Sequence, residues 1–261
     1  MMPSEDCSRI FKRKQNIFFK SIIVMSFGIS LHVWGEYACF TRPELKSERM
    51  SYEVMTPSAA RGILSAIYWK PEFRWIIDRI HVLKPIRFMQ IKRNELASKA
   101  VCPSAAVMSG EKPDFIGQFI EKDRQQRAAT ILRDVSYVID AHVEISEATP
   151  GVNDVAKHLE IFKRRVPRGQ CFHAPCLGNR EFPAFFELVD DAGSFPASEL
   201  PEEQKNRAFG LMLHDLVYRD DKKGKIICAH TGRKQTAEPR FFMAELVDGV
   251  LHVPAIQSTL A

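Results

Sequence analysis

The stretch DVAKHLEIFKRRVPRGQCFH, Asp154 to His173, concentrates ionisable nitrogen. Lys157 stands beside His158, Lys163, Arg164 and Arg165 follow, and Arg168 comes just after, with Glu160 the only acid beyond Asp154. Wound as a helix at ~100° per residue from Val155, the side chains of Leu159, Phe162 and Val166 fall within about 40° of it and form a buried stripe. On the same wheel Lys157 and Arg164 point nearly away from that stripe, and His158 and Arg165 share one flank. A cationic outer face of this kind suits phosphates. An imidazole at its edge suits proton transfer near neutral pH, because neighbouring cations favour its uncharged form. The same residues also describe a solvated basic helix face, and both readings stand on spacing alone.

Other chemistries find less support. The chain has no Walker A loop, no dinucleotide-binding glycine pattern and no G-x-S-x-G. Asp134, Asp140 and Glu144 alternate along one segment, which is equally the solvent face of a strand, so no carboxylate metal site is expected there. Of the six cysteines, at 7, 39, 102, 171, 176 and 228, only Cys171 and Cys176 are close. Structural zinc usually takes two such pairs, so neither a metal nor another cofactor is expected. The pattern is no disulfide framework either, which fits a reducing cytoplasm.

These side chains need a scaffold. The 261 residues are 45% hydrophobic and 26% charged, an ordinary composition for a chain with a sizeable core. Residues 1–24 carry five bases against two acids, so the rest of the chain holds only +2 of the net +5. A polyanionic partner must therefore be argued from local clusters. The basic, apolar start is interrupted by Lys20, lacks a small-residue cleavage site and is too short to span a bilayer, so no membrane role is expected. A half-buried strand pattern begins just after Met25 (Phe27, Ile29, Leu31, Val33), which makes Met25 the expected start and residues 1–24 a non-native or disordered extension. Thr56 and Pro57 open a helix with its apolar stripe on Ala60, Ile63, Leu64 and Ile67. Extended segments follow at about 75–83 and 86–92, then a long patternless excursion at 97–128 carrying Arg124 and Arg127. Val135, Tyr137, Ile139, Ala141, Val143 and Ile145 mark a strand, followed by the basic helix and a strand in FPAFFELVDD. This order predicts an α+β fold: a ferredoxin-like βαββαβ domain over 25–195, with a small antiparallel β subdomain over 196–261. Turns are expected at Lys223-Gly224 and Asp248-Gly249.

Several long stretches together resemble the CRISPR-associated Cas-five proteins of subtype I-C, the d or Dvulg subtype. They include YACFTRPELKSERMSYEVMTPSAARGILSAIYWKPEFRW, IKRNE, DRQQRA, LRDVSYVIDAHVE, GQCFHAPCLGNREFPA and FFMAELVDGVLHVP. The likeness runs from about Met25 to Pro254 and leaves out residues 1–24. It implies a RAMP-type fold and an endoribonuclease that cuts precursor CRISPR RNA within repeats without metal. It further implies that the protein stays on the crRNA 5′ handle beside the backbone and large subunits of the I-C interference complex. The catalytic set it implies is Tyr68, from YWKP, with Lys157 and His158. Attack by the ribose 2′-OH, giving a cyclic phosphate and a 5′-OH, needs a proton acceptor, a proton donor and a cation for the charge on phosphorus. Lys157 suits the cation and His158 the proton work. Tyr68, with an ordinary pKa near ~10, suits orientation unless cations depress it, and an edge-packing role for its ring stays open. Arg61, Arg124, Arg127, Lys163, Arg164, Arg165 and Arg168 are the expected RNA-binding side chains. A non-catalytic scaffold that grips a finished handle, and duplex DNA as a further ligand, remain alternatives.

Overall fold

In the computed structural model the described residues are 28–45, 47–99, 102–111, 119–145, 155–189, 195–228 and 232–260. The expected extension at 1–24, the start at Met25, Asp154 and part of the excursion lie outside them.

Strand β1 (Gly28–Ala38) buries Ile29, Leu31 and Val33 on one face and turns Ser30, His32 and Trp34 to the other, the period of two that the sequence displays. The short β2 (Arg49–Met50) precedes helix α1 (Pro57–Ile67). There the Thr56 hydroxyl accepts from the Ala59 N–H, and Pro57 needs no hydrogen-bond partner for its nitrogen. Ala60, Ile63, Leu64 and Ile67 are buried as one stripe. Strands β3 (Phe73–Val82) and β4 (Phe88–Leu96) follow, and then β5 (Arg124–Ile145). Helix α2 (Val155–Arg165) and β6 (Phe185–Leu188) complete this half of the chain.

The strands run β6-β1-β5-β3-β10-β9-β7 across one sheet, in which β2 alone pairs in parallel. The helices cover its inner face, where Trp75 meets Phe162 of α2 edge-on with ring centres 4.9 Å apart. The C-terminal strands, β7 (Arg207–Asp220), β8 (Ile226–Ile227), β9 (Lys234–Val247) and β10 (Val250–His252), are antiparallel. They continue the same hydrogen-bonded sheet, because β10 pairs with β3 through Leu251 and Ile80. Asp248 (φ 52°) and Gly249 (φ 77°) form the tight β9–β10 turn that an Asp-Gly pair favours.

One difference from the sequence reading concerns the excursion. Residues 124–128 belong to β5, and Arg124 to Leu132 pair with Phe88 to Leu96 of β4 along the full length of that strand. This arm has no side of regular apolar residues, since none of the β4 side chains is buried, so periodicity could not reveal it. Asp134 in the left-handed region (φ 52°) marks the place where β5 passes from β4 to its central partners β1 and β3.

Candidate functional site: a buried tyrosine–histidine pair under a basic helix

Tyr68 is the residue at which α1 ends, in extended conformation. Its N–H donates to the Leu64 carbonyl, and its own carbonyl accepts from Trp75 Nε1 at 2.9 Å. The backbone fixed in this way directs the phenol inward, where its hydroxyl lies 3.0 Å from His158 Nδ1. The imidazole also packs 4.8 Å from the Phe73 ring, and its Nε2 is 3.6 Å from the Glu72 carboxylate. Both members of the pair are nearly closed off from solvent, Tyr68 at 4% exposure and His158 at 2%. Burial raises the Tyr68 pKa, Glu72 adds to the rise, and Arg165 only partly offsets it. The net shift is away from a base near neutral pH, and the geometry makes Tyr68 a hydrogen-bonding partner of His158.

This corrects the helical-wheel placement of His158. The wheel put it on a flank beside the basic face, but the Glu72–Phe73 segment wraps that flank and buries it. Arg165 shares the flank and turns inward as well. Its Nη1 donates to the Ile67 carbonyl at 3.0 Å, and its guanidinium lies 5.0 Å from the centre of the Tyr68 ring. Arg165 thus satisfies a carbonyl at the end of α1 and covers Tyr68.

Lys157, Lys163, Arg164 and Arg168 are exposed. Lys157, Lys163 and Arg164 line a shallow groove with Glu160 and Ile161 on the outer side of α2. Lys157 is joined to His158 by the chain but faces outward. Arg61 is placed otherwise. Its Nε and Nη2 grip the Asp215 carboxylate at 2.7 and 2.9 Å, with Arg74 on the same carboxylate at 3.2 Å, so it ties α1 to β7. Arg127 pairs with Glu95 on the β4–β5 arm, and Arg124 is exposed where β5 begins. The structure therefore brings together Tyr68, His158 and Arg165, keeps Lys157, Lys163 and Arg164 on the adjacent outer surface, and draws Arg61 and Arg127 into internal ion pairs. Sequence reasoning missed Glu72 and Trp75, which hold the pair in place. A glutamate four residues after Tyr68 carries no signal until the backbone folds back on itself.

Among the described residues no group of three or more His, Cys, Asp or Glu side chains is arranged to hold a metal, and no helix is long and apolar enough to cross a membrane.

The fold has a solved counterpart. A solved structure titled as that of a CRISPR-associated protein superposes with a TM-score of 0.58 over 90% of this chain and 95% of its own, at 21% identity. The model of the Cas5d family, described as CRISPR-associated protein (Cas5), matches residues 28–254, and the chain belongs to that family. A protein of Mannheimia succiniciproducens named CRISPR pre-crRNA endoribonuclease Cas5d is 50% identical over 231 residues, 88% of this chain and 96% of the relative. One of the same name from Thermus thermophilus is 42% identical, covering 87% and 91%.

Proposed function

We propose that the protein is an endoribonuclease that cuts precursor CRISPR RNA within its repeats, without metal, and keeps hold of the 5′ handle as a subunit of a type I-C interference complex. The observation that carries the catalytic reading is the Tyr68–His158 contact, two residues 90 positions apart that meet beneath a cationic helix face. The two relatives with the pre-crRNA endoribonuclease name, each similar over nearly its whole length, support the substrate. The strand order β6-β1-β5-β3, with a helix after β1 and another after β5, supports a ferredoxin-like RAMP domain.

In this reading RNA phosphates lie along Lys157, Lys163, Arg164 and Arg168. His158 takes the proton of the ribose 2′-OH as the 2′-oxygen bonds to phosphorus, and the imidazolium returns a proton to the 5′-oxygen as its bond to phosphorus breaks, so the products are a cyclic phosphate and a 5′-OH. Tyr68 stays protonated and fixes the imidazole by its hydrogen bond, and Lys157 offsets the charge that builds on the phosphoryl oxygens. Because the pair is covered, by Glu72 and Phe73 over His158 and by Arg165 over Tyr68, the ribose reaches it only after these side chains give way.

Incubation of the purified protein with its cognate repeat RNA and EDTA, read on a gel, tests the proposal. Cutting that survives chelation is expected. Cutting that EDTA abolishes and Mg²⁺ restores overturns the mechanism. The burial of Tyr68 and His158 favours one second reading, a scaffold that binds the handle without cutting. Tight binding with no cleavage under any condition would establish it.

A further inference from the structure

Beside the Tyr68–His158 pair, and containing neither residue, a cavity of about 730 Å³ opens between α1 and the 173–180 loop. Two features keep it open. The α1 side is lined by small residues, among them Gly62 and Ala66, and a Cβ built on Gly62 meets nothing within 4 Å. The loop side is fixed by Gly178 (φ +86°), which packs so closely on the residue after β1 that an added Cβ would lie 2.0 Å from the Cys39 carbonyl oxygen.

The loop supplies three groups with spare capacity. Arg180 is exposed, and no ion pair to it is found among the described residues. Asn179 lines the cavity, although its Nδ2, which has no acceptor among the described residues, is itself enclosed. His173 lines it too, next to Phe172, whose ring is 78% exposed, with centres 4.5 Å apart. Phe172 and His173 both donate their N–H to the Ala66 carbonyl, two residues before Tyr68, so the mouth of the cavity is anchored at the catalytic end of α1.

A space of this size, an unneutralised guanidinium and an exposed aromatic ring match one unstacked nucleotide of single-stranded RNA. We infer that this crevice is a specificity subsite for a nucleotide next to the scissile phosphate. Phe172 stacks on a base at the mouth and Arg180 meets a phosphate. The inference deepens the proposed endoribonuclease function and rests on it.

Gly62→Leu is the incisive variant. It fills the crevice at a helical position where glycine is the weaker helix former, so thermal stability should be kept or rise slightly. Phe172→Ala removes an exposed ring at little cost to the fold. Each variant should bind a cleavage-blocked repeat RNA, 2′-deoxy at the scissile position, roughly 5- to 150-fold more weakly than the native chain. In a scan with one abasic nucleotide at a time, one position beside the cut should weaken binding to the native protein and have little further effect in Gly62→Leu. If the native chain cuts the repeat and both variants bind and cut as it does, the subsite is refuted while the function stands. If the native chain neither binds nor cuts repeat RNA, the function falls and the subsite falls with it.

Discussion

Arg61→Ala separates the structural reading of this residue from the sequence reading. Sequence pattern assigns Arg61 to RNA, whereas the structure places it on Asp215, whose side chain is 6% exposed. Burial alone would push the Asp215 carboxyl up, but the hydrogen bonds and charge of Arg61, the Leu216 N–H and Arg74 outweigh it and hold the carboxyl below its ordinary value. Breaking a buried pair by removing one partner costs ~3–5 kcal/mol. Two facts favour the low end: Arg74 stays within 3.2 Å, and the Arg61 side chain is a third exposed. About 3 kcal/mol in a chain of this size lowers Tm by roughly 6–12 °C. The pH dependence follows from the sign of the shift. A depressed folded pKa gives stability that is complete above the unfolded value of about 3.9 and is lost as pH falls through the lower folded value. The gap between native and variant should therefore be full at pH 7 and narrow below about pH 4. Thermal denaturation across pH measures this, and RNA titrations across salt supply the control, with the slope of log K against log salt unchanged. An unchanged Tm with a slope flatter by about one unit would show that Arg61 meets phosphate and that its pairing with Asp215 is incidental.

Tyr68→Phe keeps the ring and removes the hydroxyl that meets His158. Loss of that buried hydrogen bond should cost ~1–3 kcal/mol, read by denaturant unfolding, and cleavage should fall about 10²-fold or more, whereas full activity would leave Tyr68 a packing residue. Lys157→Ala should lower single-turnover cleavage by roughly 10²–10³-fold and weaken RNA binding far less, with a salt slope flatter by about one unit, because it is one cation of several on that face. Gly178→Ala should destabilise by at least ~2 kcal/mol, because it adds a Cβ in a left-handed conformation against the Cys39 carbonyl, and its thermal melt should show this even without RNA.

How much of this was legible in the sequence varies by element. The β1 alternation, the Thr56-Pro57 start of α1 and the stripe of Leu159, Phe162 and Val166 were readable, because each packs against the core on one side and meets solvent on the other. Strand β4 was readable in part, as the extended segment at 86–92, but its pairing with residues 124–128 was not, because few apolar residues mark that part of the chain. The Arg61–Asp215 clamp spans 154 positions, and nothing local to either residue announces the other. The catalytic candidates were named from the resemblance, and the wheel placed Lys157 and Arg164 correctly on the outer side. It could not foresee that His158 is enclosed, since the enclosing Glu72 and Phe73 come from another part of the chain.

That enclosure links fold to chemistry. Helix α1 ends at Ile67, and the chain leaves it extended at Tyr68, so one structural event places the phenol. The same end exposes carbonyls that must be satisfied, and Trp75 and Arg165 satisfy those of Tyr68 and Ile67. Arg165 is therefore shared between two demands. It caps a helix that belongs to the core, and it carries a positive charge at the edge of a surface suited to phosphate. A strong anion competes well with a backbone carbonyl for a guanidinium, because hydrogen bonds between charged partners are about twice as strong as neutral ones. If RNA binds on the outer side of α2 as proposed, its phosphates have a direct means of drawing Arg165 off the Tyr68 ring. That exchange would open the Tyr68 side of the pair, while Glu72 and Phe73 would still have to give way before the imidazole is reached.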